Sequence, residues 1–224
     1  MQFQIRIQAG EGLALRDPED TNLGRNIVRH GLVLMHQIGF EHFTFKKLAE
    51  GINTTEASIY RYFENKHRLL LYILTWYWNF LEYLVVYSLH NLHDPEQKIK
   101  KVIELLVNEL PEEFDQSGID KNALYQIVIA ESSKVYLTRE VTEINKNQLF
   151  KPYKDLCSRI ADLFQEYNPS YPYPHSLAST VVEAAHFQHF FMKNLPRLTD
   201  FGGEKNVHSI EIYLENLVFS VIRK

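Results

Sequence analysis

From about residue 22 onward, apolar positions recur at helical spacing, interrupted by capping residues, glycines and prolines. The first stretch, Asn22 to Ile38, sets Ile27, Leu32, Leu34 and Met35 on or near one face and stops at Gly39. Thr44 predicts the cap of a short second helix that carries Phe45, Leu48 and Ala49 to Gly51. Thr55 opens a third, through Ile59 to Phe63, and Asn65 caps a fourth that stays apolar and aromatic to about Leu92. Asp94-Pro95, a cap followed by a proline, starts a fifth that ends before Pro111. Asp120 caps a sixth. A seventh covers Arg139 to Tyr167, with Pro152 forcing a kink or a break. Prolines 169, 172 and 174 make a loop, and two further helices span about His175–Lys193 and Lys205–Ile222. The pattern predicts an all-α chain of about nine helices. Only Phe3, Ile5 and Ile7 alternate as a strand would, and with no partner strand residues 1–20 read as an N-terminal arm.

Composition agrees with that pattern. The chain has 224 residues, 45% hydrophobic and 23% charged, enough for one large domain or two small ones with a full core. Nine glycines and eight prolines are too few for most all-β folds or Gly-rich nucleotide loops. The single Cys157 excludes a disulfide framework and a multi-cysteine zinc site, and fits a reducing cytoplasm. No apolar run is expected to reach the ~18 residues that cross a bilayer, and residues 1–7 lack the features of a signal peptide.

A net charge of -4 argues at first against a nucleic-acid partner. Its distribution changes that. Residues 1–19 hold two bases and three acids, residues 20–68 seven bases and five acids, and residues 69–224 fifteen bases and twenty acids. The early segment is therefore mildly basic, with His30, His36, His42 and His67 beside its lysines and arginines.

Within that segment, Thr44 to Phe63 reads as helix, tight turn, helix. Phe45, Leu48, Ala49 and Ile52 pack toward the first helix, and Ile59 and Phe63, four apart, anchor the second element to the same core. That leaves Glu56, Ala57, Ser58, Tyr60, Arg61 and Tyr62 on the outer face. Small residues admit a close backbone, and hydroxyls and an arginine suit phosphates and base edges. Thr44 and Thr55 cap helix N-termini, where exposed N–H groups favour phosphate, and Lys66 adds a cation on that side.

The stretch from Phe43 to Leu70 resembles the DNA-binding segment of TetR-family transcriptional regulators. Thr44, Leu48-Ala49, Ile59-Tyr60-x-x-Phe63 and Lys66-x-x-Leu69-Leu70 match that family in type and spacing, and nine helices suit its plan. The resemblance, which covers roughly residues 22–70, implies phosphate contacts from Thr44, Tyr60 and Lys66. The chain departs from the family at the turn, where Ile52-Asn53-Thr54-Thr55 replaces Ala-Gly-Val-Ser, and at Glu56 and Ala57, which replace a frequent Lys or Pro and a Gly. Glu56 either accepts from a cytosine amino group or is a solvated acid at a helix start. The expected contact set is Glu56, Ala57, Ser58 and Arg61 toward bases, with Thr44, Thr55, Tyr60, Tyr62 and Lys66 toward phosphates.

The back of the chain is read more coarsely. Helix four carries more aromatics than one face needs, and the resemblance implies a cavity whose small ligand releases DNA. Trp76, Tyr77, Phe80, Tyr83 and Tyr125 are its expected walls, and an apolar or aromatic molecule its expected occupant. Val181, Ala185 and Phe190 on one late helix and Ile210, Leu214, Leu217 and Val221 on the last make the expected homodimer seam, since two half-sites call for a two-fold axis. Glu183, His186 and His189, like His90 and His93, recur every three residues, but a histidine pair without a convergent third ligand is more often structural, so no metal or cofactor is assigned. No nucleophile elbow, Walker loop, dinucleotide fingerprint or His-Glu-x-x-His occurs, so no enzyme is predicted. The expected organisation is an arm (1–20), a helix–turn–helix DNA-binding domain (21–68) and a ligand-binding and dimerisation domain (69–224). The expected function is a bacterial, cytoplasmic, sequence-specific regulator of operator DNA, a repressor released by a small ligand and without a membrane partner. The alternatives are a helical ligand-binding protein without operator binding and, with nothing positive behind it, a helical-bundle enzyme.

Overall fold

Thr21 opens the first helix of the computed structural model, which describes residues 13–111, 118–139, 141–146, 149–202 and 207–223. Its hydroxyl accepts from the Gly24 N–H at 2.9 Å, and α1 (Asn22–Ile38) runs until Gly39, at φ +75°, turns the chain. Ile27, Val28, Leu32 and Met35 are buried along one side of α1, while Leu34 is only half-buried. Thr44 caps α2 (Phe45–Gly51) through the Lys47 N–H, and Thr55 caps α3 (Glu56–Tyr60) through the Ser58 N–H. Between them Asn53 adopts φ +54°, a conformation asparagine tolerates, so the turn forms without glycine.

The caps expected at Asn65, Asp94 and Asp120 open α4 (Lys66–Leu89), α5 (Pro95–Val107) and α6 (Lys121–Glu131). Then follow α7 (Ser133–Tyr136), α8 (Val141–Lys146), α9 (Lys151–Tyr167), α10 (Pro174–Asn194) and α11 (Val207–Ile222). The described residues therefore hold eleven α-helices and no strand, against nine expected. One extra helix follows the break at Ser132. The other arises because Pro152 sits at the second position of α9, where its missing N–H would have no partner anyway, and so begins a helix instead of kinking one. The strand-like alternation at residues 3–7 lies outside the described residues.

One expectation needs correcting outright. By length and composition, α4 is apolar enough to cross a membrane. Leu69 to Leu81 carries no charge and only Thr75 and Asn79 as frankly polar side chains. Yet 72% of the apolar window is buried inside the protein, which is the position of a core helix.

The chain divides into two compact units. The first joins the residues up to Tyr77 with Leu110–Lys151, and the second joins Trp78–Glu109 with Pro152 onward, so α4 contributes to both. In the first unit Leu48, Ile59, Phe63, Leu69 and Leu70 are fully buried with the inward face of α1. In the second, α5 packs with α10 and α11, and Ile99, Val102, Leu106, Val181, Ala185, Ile210, Leu214 and Val218 fill the core. Asn168 closes this unit at the proline loop. Its amide donates to the Ile222 carbonyl at 2.9 Å while its Oδ1 accepts from the Ser170 N–H and hydroxyl.

Two buried histidines of α10 set an acid limit on stability. Burial pushes His186 down to about 3, helped by neighbouring His189, and burial also lowers His189 against the pull of the Val107 carbonyl, which lies 2.6 Å from its Nε2. Both stay neutral in the fold, whereas the unfolded chain takes up protons below about pH 6.5, so stability is present near neutrality and lost as pH falls. Each group can contribute a slope of up to ~1.4 kcal/mol per pH unit. Thermal unfolding followed from pH 7 to pH 5 should show a falling midpoint, flatter in His186→Gln. An equally steep fall in that variant would remove His186 from the account.

Candidate nucleic-acid interface

The short α3 is held from below by Ile59, which is fully buried, and Phe63 follows it into the same core. Thr44, Thr55, Glu56, Ala57, Tyr60 and Arg61 are exposed, and Ser58 is half-buried. The Ser58 hydroxyl lies 3.0 Å from Thr55 Oγ1, so the two hydroxyls form one polar ledge at the start of α3. Tyr60 is 49% exposed, and its ring meets Phe45 edge-on at 5.0 Å, which braces the phenol against the core while leaving part of it in solvent. Exposed hydroxyls, a small residue and a guanidinium on one rigid element form a surface that can donate to phosphate oxygens and base edges. Lys46 and Lys47 on α2 are also exposed, and were missed although adjacent cations just after a cap were a readable signal. Lys47 Nζ donates to the His42 carbonyl at 2.9 Å.

Two expected contacts are placed elsewhere. Tyr62 is 3% exposed, and its hydroxyl lies 2.7 Å from Thr21 Oγ1. α3 ends at Tyr60, so Tyr62 falls in the turn and points inward. Residues 13–20, expected to be part of a loose arm, cover it: the Leu15 N–H donates to the Tyr62 carbonyl at 2.8 Å, and the Arg16 guanidinium sits 5.6 Å from its ring centre. Lys66 is only partly exposed, and its ammonium donates to the carbonyls of Phe40, Glu41 and Phe43 at 2.9, 3.2 and 3.4 Å. Those three acceptors match its three donors, so it holds the α1–α2 turn instead of reaching for phosphate.

That turn is also tied to α6 and α7. The Phe40 N–H donates to Glu131 Oε1 at 3.3 Å, and Lys134 Nζ bridges Glu131 at 2.8 Å and Glu41 at 2.6 Å. Burial works against the Lys134 charge, but Glu131 and Glu41 together raise its pKa, and hydrogen bonding to Lys134 lowers that of Glu41.

The aromatic walls expected for a ligand cavity fall in both units. Trp76, Tyr77 and Tyr125 are buried in the first unit, and burial pushes the Tyr77 phenol up. Phe80 is buried and Tyr83 half-buried in the second. None of the five lines either of two cavities present, one of about 300 Å³ beside Arg68 and Thr138 and one of about 460 Å³ beside His90 and Arg159. Four of the seven residues of the expected dimer seam are taken up inside their own unit. Val181, Ala185, Ile210 and Leu214 are fully buried in their own unit, whereas Phe190 and Leu217 are half-buried and Val221 exposed. Glu183 accepts from the Tyr153 hydroxyl at 2.7 Å, and His186 faces Trp78 at 5.5 Å between ring centres. Burial raises the Cys157 thiol to about 11, so it stays protonated.

Residues 27–73 match the sequence pattern of the family described as bacterial regulatory proteins, tetR family. Over those residues the chain carries a tetR-type head. The match spans the whole helix–turn–helix, so DNA binding and transcriptional regulation rest on the tetR-type head itself. Solved structures cover far more of the chain at low identity. AibR, solved in complex with isovaleryl coenzyme A and operator DNA, is 16% identical with a TM-score of 0.59, over 87% of this chain and 97% of that one. The fatty acid degradation regulator FadR from Bacillus halodurans is 14% identical with a TM-score of 0.57, over 87% and 93%. The superantigen PfiT is 14% identical with a TM-score of 0.58, over 93% and 100%. These likenesses show the fold, which a superantigen shares, and so place the weight of the assignment on the tetR head. No curated protein matches the chain in sequence.

Proposed function

We propose that this regulator is a homodimeric repressor in the bacterial cytoplasm that leaves its operator when a small molecule binds. The observation that carries the reading is the exposed face of Thr44, Thr55, Glu56, Ala57, Tyr60 and Arg61 standing on the buried anchors Leu48, Ile59 and Phe63. Arg61, Ala57 and Glu56, with half-buried Ser58, address bases, and Thr44, Thr55 and Tyr60 address phosphates. Tyr62 and Lys66 are replaced in the contact set by Lys46 and Lys47. That AibR was solved with both operator DNA and a small ligand favours the same pairing here.

The test is a shift assay on DNA upstream of the gene across a salt series. Specific binding should weaken steeply, log K falling by about 0.9 per phosphate neutralised for each unit of log salt. A flat slope without sequence preference would overturn the repressor and favour a ligand-binding protein without operator.

For the dimer, exposed apolar side chains on α10 and α11 replace the buried ones. Phe187 is 44% and Val221 46% exposed, with Tyr213 also exposed and Phe191 and Leu217 half-buried on the same two helices. A self-complementary pairing of such patches builds a two-fold dimer. Phe187→Glu with Tyr213→Glu should sediment as a monomer and lose operator affinity at least ~100-fold, since one head makes only half the phosphate contacts. A double variant that remains dimeric would move the seam elsewhere.

A further inference from the structure

The smaller cavity belongs to the first unit and has an unusual lining. Its walls include Arg68, Lys134, Arg139 and Thr138, with Leu71 and Val135 as the apolar side. Among the described residues none of its walls carries a carboxylate. Two polar atoms of these walls, Arg68 Nη1 and Thr138 Oγ1, are buried without a hydrogen-bond partner. A buried donor left unmatched is costly, more so on a charged group, and such a pair on one cavity calls for an acceptor.

Among the described residues the acids nearby leave that corner open. Glu64 pairs with Arg68 at Nε, 3.5 Å away, and not at Nη1. Glu41 and Glu131 hold Lys134 at 2.6 and 2.8 Å, so its charge is largely balanced and it orients more than it attracts. The guanidinium and the hydroxyl therefore provide the recognition, and exposed Arg139 adds positive charge at the cavity. About 300 Å³ is at the lower end of the range for small-molecule sites, which limits the occupant to a compact molecule.

We propose that this cavity binds the oxyanion group of a small molecule, a carboxylate or a phosphate, through Arg68 Nη1 and Thr138 Oγ1. The occupant acts on the head through Lys134, which lines the cavity and also bridges to Glu41 and lies 5.6 Å from the centre of the Phe40 ring. An anion that draws Lys134 toward itself loosens the Glu41 pair and with it the turn that positions α2. This second step rests on the repressor reading above, whereas the binding step does not.

The binding test uses the free protein. Thermal unfolding is followed in sodium phosphate and, separately, in sodium propionate, each against sodium chloride at matched ionic strength. A saturable rise in midpoint is expected with at least one of the two, and the one that gives it tells phosphate from carboxylate. Arg68→Gln and Thr138→Val should each raise the half-saturating concentration about tenfold or more, the second without altering any charge. No saturable rise above chloride, or both variants titrating like the wild type, overturns the site. With DNA present, the effective anion at matched ionic strength should weaken wild-type binding several-fold and that of Thr138→Val much less. Equal weakening in both overturns the coupling. A protein with no sequence-specific DNA binding would overturn the repressor while the titration of free protein still decides the anion site.

Discussion

Lys66→Met should lower the unfolding midpoint by several degrees and reduce operator binding, without changing the salt slope of whatever binding remains. The ammonium donates to three carbonyls of the Phe40–Phe43 turn, and those acceptors follow the end of α1, where the helix leaves its own carbonyls unpaired. Hydrogen bonds involving a charged group contribute ~1.5–3 kcal/mol each when well made, and these are partly solvated and unequal in length, so a total of about 2–4 kcal/mol is expected. Methionine keeps the stem against the Phe40 ring, which lies 4.5 Å from the ammonium, and removes only the donors. Denaturant titration and a salt series on the same variant separate two roles. If Lys66 contacted phosphate, the variant would keep its stability and its slope would drop by about 0.9. That pattern would restore the sequence expectation and refute the turn-holding role.

Gly24→Ala should destabilise the first unit by ~3 kcal/mol, against the ~1 kcal/mol gain that the same change brings in an open helix. A β-carbon at Gly24 would sit 2.6 Å from Pro18 Cα and 2.8 Å from its carbonyl carbon, and would press still harder on the carbonyl oxygen. All three are backbone atoms, so no side chain can swing aside. Either the Pro18–Asp20 turn lifts away or the start of α1 shifts, and each breaks the pairing of Thr21 with Tyr62. Denaturant unfolding reads the loss directly, and tyrosine fluorescence or amide exchange near Tyr62 should report its exposure. An alanine variant as stable as the wild type would sink the claim that residues 13–20 belong to the head.

The Lys66 prediction concerns a residue whose partners are more than twenty residues away in sequence, and that is where reading the chain alone ran short. Thr44, Thr55, Asn65, Asp94 and Asp120 were legible as caps because a cap depends on a neighbour two or three residues on. Asn53 was legible as a turn for the same reason. Tyr62 and Lys66 were assigned to the outside because their partners, Thr21 and the Phe40–Phe43 carbonyls, lie on other elements. Part of the expected dimer seam is buried for a different reason. Periodicity on α10 and α11 shows which positions are apolar, but these helices are apolar on more than one side. The most regular stripe, through Val181, Ala185, Ile210 and Leu214, is the one its own unit buries. Of the exposed apolar residues in the proposed seam, Phe187 and Tyr213 lie outside that stripe, and only Val221 was among the positions the periodicity picked. Pro152 could be read only as a disruption, since whether a proline kinks a helix or starts one depends on where the preceding turn ends.

The ties from the α1–α2 turn to Glu131 and Lys134 bear on how this regulator can be recombined. Hybrid regulators are commonly imagined by exchanging an N-terminal reading segment for another, as if the join were a plain seam in sequence. Here no piece that ends before residue 134 carries the head whole, because the N–H of Phe40 and the carboxylate of Glu41 find their partners about 90 residues later. A graft of residues 13–70 onto a foreign body would arrive with an unmatched buried amide and a loosened turn. A graft that brings residues 119–139 along should keep its operator preference, so this protein's portable unit is a pair of segments.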